Sequence, residues 1–253
     1  MKRRLLAVLL LALATATATG AASAKSSGGA IAAAIADSAR PATDKAQDAN
    51  RKPAEVLAFA GIHPGEVVVD LMPGAGYYTR LFSRLVGPTG KVYALEPAEM
   101  AKAAPEPLKA VQAFAGKGGY ANVVVLVQPV DALTLPQRAD RVWTSQNYHD
   151  LHDPFMGSPD VGRVDKRLLA MLKPGGTFVV LDHAAASGSG FSHTNDLHRV
   201  DPAAVKKEVT SAGFRFVAAS DTLRNPADDH TAAAFDPKVK GHTDKFLLKF
   251  RKP

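Results

Sequence analysis

The stretch Val67-Val68-Val69-Asp70-Leu71-Met72-Pro73-Gly74-Ala75-Gly76-Tyr77-Tyr78-Thr79 decides the fold. An apolar run of five residues bounded by turn residues reads as a strand buried on both faces, Val67–Leu71. After the glycines comes an amphipathic helix, Tyr78–Val86, with Leu81, Phe82 and Leu85 on one side and Gly87-Pro88 as its stop. Strand, glycine turn and helix in that order begin a parallel crossover unit. Glycine permits positive φ and lets a ligand approach the backbone with no Cβ in the way. The helix start offers free N–H groups to a carboxylate or phosphate. The dinucleotide spacing G-x-G-x-x-G is not met, because Thr79 stands where the third glycine belongs.

Outward from this turn, strands and helices alternate. Upstream, Pro53 opens a helix through Ala60 that Gly61 closes. Downstream, Val92–Leu95, Val123–Val127, Arg141–Ser145 and Thr177–Leu181 read as strands. A helix over Arg163–Leu172 is broken by the turn Lys173-Pro174-Gly175-Gly176. Asp201 caps a helix that starts at Pro202 and repeats Val205, Val209 and Ala212 at helical spacing. Phe214–Ala218 and Phe246–Phe250 are the last strands, and the final one alternates as a half-buried antiparallel strand does. Near-continuous apolar strands separated by helices predict an α/β domain over 53–253, with a mostly parallel sheet covered on both faces.

In such sheets ligands bind at the carboxyl ends of the strands, near the switch in strand order. Glu96 follows the second strand, where a carboxylate can accept from both hydroxyls of a ribose. Asp131, in Gln128-Pro129-Val130-Asp131-Ala132 after the third strand, can accept from an adenine amino group.

Taken jointly, Asp70, Gly74, Gly76, Glu96 and Asp131 resemble the cofactor site of the class I S-adenosylmethionine (SAM)-dependent methyltransferases. The Lys173–Gly176 turn is similar to the one that leads into that family's fifth strand. The resemblance implies a Rossmann-like fold of seven strands with the last antiparallel, SAM as cofactor, and methyl transfer to a small-molecule or envelope acceptor. Within the superfamily the chain resembles the exported predicted methyltransferases of bacteria. The residues that carry this are Arg51-Lys52-Pro53-Ala54-Glu55-Val56-Leu57, Asn147-Tyr148-His149-Asp150-Leu151-His152, His198-Arg199-Val200-Asp201-Pro202, Asn225-Pro226-Ala227-Asp228-Asp229-His230 and Thr243-Asp244-Lys245-Phe246. In one respect the chain departs from the pattern: Met72 occupies the place of the first glycine, which predicts a narrower space for the methionine end of SAM.

Methyl transfer from a sulfonium needs an aligned acceptor, and a base only where the acceptor loses a proton. The polar tips of the fourth and fifth strands are therefore the places to look. Asn147 is expected to bond the SAM amino group through its side-chain carbonyl, Tyr148 to wall the acceptor pocket and His149 to act as base. His183, His193, His198 and Arg199 are the candidate substrate contacts, since seven of the eight histidines follow position 148. No H-x-x-x-H or H-E-x-x-H spacing falls on a helix, so no metal is expected. A non-catalytic adenosyl-binding protein on the same fold and a metal-dependent hydrolase using the His/Asp loops stay open as alternatives.

The chain of 253 residues is 46% hydrophobic and 22% charged, an ordinary globular composition. Lys2, Arg3 and Arg4, the apolar run Leu5–Ala14 and Ala22-Ser23-Ala24 read as a cleavable signal peptide over 1–24. The apolar run is too short to span a bilayer, so no stable membrane insertion is expected after cleavage. A periplasmic or secreted protein follows. Residues 1–24 carry three of the 31 Lys/Arg and none of the 24 Asp/Glu, which leaves +4 for the remainder. With no basic run interleaved with aromatics, nucleic-acid binding is not expected. The lack of cysteine excludes disulfides, Cys-ligated zinc, a thiol nucleophile and a cysteine-linked lipid. Residues 25–52, with a helix over Ala30–Ala39, read as a lead-in or cap.

Overall fold

The computed structural model describes residues 28–253; the expected signal segment 1–24 lies outside them. Seven strands form one sheet: β1 Val67–Leu71, β2 Lys91–Pro97, β3 Val123–Gln128, β4 Ala139–Ser145, β5 Leu172–His183, β6 Arg215–Ser220 and β7 Lys245–Arg251. Their order is β3-β2-β1-β4-β5-β7-β6. β1 through β5 pair in parallel, and β7 is antiparallel to both β5 and β6. The chain moves outward from β1 to β3 and then returns to place β4 on the other side of β1. The switch point therefore lies between the tips of β1 and β4.

The helices are α1 (residues 28–36), α2 Ala42–Lys45, α3 Asp48–Arg51, α4 Pro53–Ala60, α5 Tyr77–Val86, α6 Ala98–Ala103, α7 Pro105–Phe114, α8 Val161–Met171, α9 Thr194–Leu197 and α10 Pro202–Ser211. Alternation along each strand divides the core in two. Val67, Val69, Leu71, Tyr93, Leu95, Val142, Phe178 and Val180 pack with Val164 and Leu168 of α8 and Val205 and Val209 of α10. Val68, Val92, Ala94, Trp143, Val179 and Leu181 pack with Val56, Leu57, Leu81, Phe82 and Val111 of α4, α5 and α7, and with Ile31 and Ala34 of α1. Both faces are dry, which is why the strands read as apolar runs.

Three expectations change. β7 is buried on both faces over Lys245–Leu248 instead of half-buried, because β6 pairs on its outer side and makes it an interior strand. Lys173–Gly176 is not a free turn but part of β5, which pairs with β4 from Leu172 onward across a register shift between Ala139 and Arg141. Gly175 absorbs the irregularity at φ +77°, as glycine does at bulges. Helices α6 and α7 have no counterpart in the sequence reading. Prolines flank them, and α6 buries no residue, so its apolar signal is weak.

The N-terminal helices are tied to α5 by charge. Arg40 forms a bidentate pair with Asp48, through Nη1 at 2.9 Å and Nη2 at 2.6 Å. The Tyr77 hydroxyl donates to Asp48 at 2.7 Å, and Arg80 to Asp44 at 3.0 Å.

Candidate active site at the strand tips

The β1–α5 turn carries three left-handed residues, Met72 (φ +53°), Gly74 (φ +56°) and Gly76 (φ +84°). The two glycines serve different ends. A Cβ on Gly76 would meet the Phe114 ring at 2.8 Å, so this glycine lets α7 pack on the start of α5. A Cβ on Gly74 would meet nothing within 4 Å, so Gly74 is the one that leaves the backbone open to a ligand. Met72 holds a backbone conformation that costs an ordinary side chain ~1–2 kcal/mol. Its side chain is buried in the core that Tyr148, Leu151 and Met156 also build. Asp70 is buried and accepts from the Thr79 hydroxyl at 2.6 Å. Burial raises its pKa to about 7, against the opposing influence of Thr79 and Arg51.

Glu96, at the tip of β2, is 3% exposed. Its Oε2 has no hydrogen-bond partner. Burial first, then the charges of Asp70 and Asp150, raise its pKa to about 8. A buried carboxylate oxygen without a donor fits a ligand that brings donors, as a ribose diol does. Asp131 is placed differently. It lies exposed on a 3₁₀ turn, on the wall of a separate cleft with Glu99, Val130, Met156 and Asp160. Glu96 is not on that wall. Asn147 spans the switch point, its side-chain N–H donating to the Met72 carbonyl at 2.6 Å. Its amide nitrogen is thus committed to the β1 turn, and its side-chain oxygen accepts from no described residue.

The histidines divide in the same way. The 3₁₀ turn His149–His152 follows β4 and buries His149. Asp182 accepts from the His149 backbone N–H at 2.9 Å and holds its Nδ1 at 2.9 Å. Nε2 lies 3.3 Å from Asp150. Burial disfavours the imidazolium, but Asp182 and Asp150 outweigh it and raise the His149 pKa to about 10. In the metal-free chain a proton held that firmly keeps His149 from acting as the expected base at neutral pH. His183 is the reverse case: burial, with His149, Lys245 and Arg199 nearby, lowers its pKa to about 3 despite Asp182. It is therefore neutral, with Nδ1 2.7 Å from the Thr243 hydroxyl. The ring centroids of His183 and His198 lie 6.2 Å and 5.5 Å from that of His149.

Three expected contacts turn elsewhere. Tyr148 is fully buried, and its hydroxyl lies 2.9 Å from Asp165 and 2.8 Å from Glu208. Burial and Glu208 push Asp165 well above the carboxylate range, so a proton is available for each bond. Tyr148 braces α8 against α10 and walls no pocket. Arg199 is also fully buried, in a bidentate pair with Asp228 at 2.8 and 3.0 Å and with Ala184 and Ala232 carbonyls as further acceptors. His193 stays at the surface, paired with Asp196 at 3.1 Å.

The cavity of about 380 Å³ beside the β4 and β5 tips is lined mainly by residues with no role assigned from sequence. Gln146, Leu181 and His183 at the strand tips, Arg51 and Tyr78 from α3 and α5, and Leu223, Phe235 and Lys245 from the segment after β6 are among its lining residues. Burial, with Arg51 and Arg199 adding repulsion, lowers the Lys245 pKa to about 8. Arg51 and Lys245 fall in stretches singled out for family resemblance, but nothing in the sequence shows that residues so far apart meet.

No family model matches the chain. Over 185 residues it is 30% identical to the ubiquinone/menaquinone biosynthesis C-methyltransferase of Pseudomonas aeruginosa, a match covering 70% of this chain and 66% of that enzyme. The chain thus spans just under two thirds of the relative's length. It is 35% identical over 126 residues to the protein-L-isoaspartate O-methyltransferase of Aeropyrum pernix, covering 49% of this chain and 42% of that one. Among solved structures, a SAM-dependent methyltransferase from Aquifex aeolicus superposes with a TM-score of 0.56 at 20% identity, over 79% of this chain and 88% of the other. An arsenic(III) SAM methyltransferase from Chlamydomonas reinhardtii gives 0.55 at 20% identity, over 88% and 73%. The fold is the one these SAM-dependent methyltransferases share, and the sequence similarity to two curated methyltransferases accompanies it.

Proposed function

We propose that the chain binds SAM over the β1–α5 turn and transfers its methyl group to a small acceptor held in the cavity beside it. The observation that carries this reading is the unpartnered buried carboxylate of Glu96, one strand from the open glycine Gly74. Glu96 would hold the ribose hydroxyls, the Gly74 backbone would pass the ligand, and the Asn147 side-chain oxygen would take the amino group. SAM supplies an already activated methyl group, so the protein's task is alignment.

The acceptor cavity has cationic and apolar walls. Arg51 and Lys245 favour an acceptor that is anionic or ionises easily, and Leu181, Leu223 and Phe235 favour an apolar body. Neutral His183 supplies a hydrogen bond without adding charge. A phenolic ring has these properties, and the Pseudomonas relative is a ubiquinone/menaquinone C-methyltransferase, which makes ring acceptors the first class to try.

Calorimetric titration with SAM tests the binding step, with stoichiometric binding expected. No heat and no thermal shift at saturating ligand would remove this reading in favour of another ligand on the same fold. Export is part of the proposal. Its basis is the pattern of residues 2–24, and Arg3-Arg4 is compatible with a twin-arginine route that moves folded protein with its cofactor. Mass spectrometry of the periplasmic fraction should find a chain beginning at Lys25. An intact Met1 in the cytoplasm would refute export.

A further inference from the structure

The side chains around the β4 tip hold more negative charge than the protein neutralises. Asp150, Asp153 and Asp182 are all buried, and His149 is the group that answers them. Neither carboxylate oxygen of Asp153 has a hydrogen-bond partner, although the side chain is fully buried. Burial raises the Asp153 pKa and Asp150 adds to the rise, while the nearby Thr194 hydroxyl, His149 and His198 oppose it. A buried carboxylate so weakly compensated is a place where a cation would relieve the cost of burial.

The local backbone explains why these groups meet. In the 3₁₀ turn after β4, side chains three apart lie one above the other, and the Asp153 N–H donates to the Asp150 carbonyl at 3.0 Å. His198 comes from the following loop. That loop is pinned to the β5 tip, with the Val200 N–H donating to His183 at 3.0 Å and the Ala185 N–H to Val200 at 3.0 Å. His198 itself closes α9 in the left-handed conformation, at φ +52°.

From this geometry we infer that His149, Asp150 and His198 form a binding site for one divalent transition-metal ion. One potential ligand atom from each residue lies within 4.8 Å of the others. The 3.3 Å between His149 Nε2 and Asp150 Oδ1 is the separation expected of two ligands that each sit ~2.1 Å from one ion at an angle between square and tetrahedral. Asp182 holds the other ring nitrogen of His149, the outer-shell arrangement that fixes a ligating imidazole. Asp153 adds negative charge beside the ion. Two imidazoles and one carboxylate suit zinc and its first-row neighbours, whereas magnesium and calcium prefer oxygen alone. Three ligands leave coordination positions open. Both His183, adjacent to His149, and Phe235, 4.8 Å from the His198 ring, line the acceptor cavity. The site needs no SAM and stands or falls independently of methyl transfer.

The test is titration of chelator-treated full chain with Co²⁺, read by visible d–d absorption, and with Zn²⁺, read by calorimetry. One equivalent is expected to bind in both, and Mg²⁺ is not expected to compete. His198→Asn tolerates the left-handed backbone and removes the imidazole, so it should abolish the cobalt spectrum while circular dichroism is unchanged. Asp182→Asn should weaken zinc by ~10–100-fold, and His193→Ala should leave the affinity unchanged. A featureless cobalt spectrum, or one-to-one binding that survives His198→Asn in folded protein, would overturn the site. In that event the cluster is an Asp150–His149–Asp182 ion triad.

Discussion

Glu96 is the residue at which the fold leaves a burial cost uncompensated, and its titration makes that cost measurable. Its pKa rises from 4.5 to about 8 and that of Asp70 from 3.8 to about 7, both chiefly by burial. Between pH 4 and 8 the folded ligand-free chain therefore holds protons that the unfolded chain has released. Its stability falls as pH rises through that window. Thermal melting at a series of pH values should show this decline, and Glu96→Gln should flatten its upper part. A ribose diol favours the ionised carboxylate, so SAM binding should release a proton below pH 8, read by calorimetry in buffers of different ionisation heat. Hydrogen bonds to a charged group contribute ~1.5–3 kcal/mol. Glu96→Ala should accordingly weaken SAM by ~10–100-fold while the fold survives. The two turn glycines separate in the same kind of experiment. Gly76→Ala forces a Cβ against Phe114 at positive φ and should cost ~1–3 kcal/mol of stability. Gly74→Ala has room, and its stability cost should be limited to the ~1–2 kcal/mol of left-handed strain.

At the scale of elements, one buried and one half-buried ion pair fix the segments that build the cavity. Arg199, in the strand-like segment beside the β5 tip, holds Asp228 of the loop between β6 and β7, and Asp228 also accepts from the Asp244 backbone N–H. Breaking a buried pair by removing one partner costs ~3–5 kcal/mol, because the other charge stays behind. Arg199→Ala should therefore lower the melting temperature and speed hydrogen exchange across 223–245, the loop that carries Phe235 and Lys245. Asp48 plays the corresponding part for α2 and α3, which carry Gln47, Asn50 and Arg51 to the opposite wall. Asp48→Ala should loosen residues 40–51 in hydrogen exchange with β1 and β2 still protected. Lost protection throughout the sheet would show that these helices belong to the cooperative core.

For the molecule as a whole, the proposed cofactor and acceptor sites lie along the carboxyl edge of one sheet, with the switch point bridged by Asn147 and Met72. SAM that binds only the folded chain should stabilise it by ~2.7 kcal/mol at a hundredfold excess over Kd, visible as a concentration-dependent melting temperature. Lys245, with a pKa of about 8, sets a limit on the acceptor side. Affinity for an anionic acceptor should decline above pH 8 as this charge is lost, and Lys245→Met should remove that decline together with most of the affinity.

The sequence by itself determined the seven strands and the helices α5, α8 and α10 between them, though not α6 and α7. Val67–Leu71 and Pro53–Ala60 are local patterns, and burial on one or both faces writes them directly into residue order. It also marked Gly74 and Glu96, because a turn after one strand and an acid after the next are positions counted along the chain. What only tertiary structure decided is the direction of each side chain at the tips. Tyr148 and His149 are neighbours in sequence, yet one turns into the core between α8 and α10 and the other toward Asp182. Arg199 finds Asp228, and His198 comes to His149, through loops whose approach no periodicity encodes. Contacts between segments far apart in the chain depend on which backbone hydrogen bonds close the loops, and that is settled only when the sheet edge is assembled.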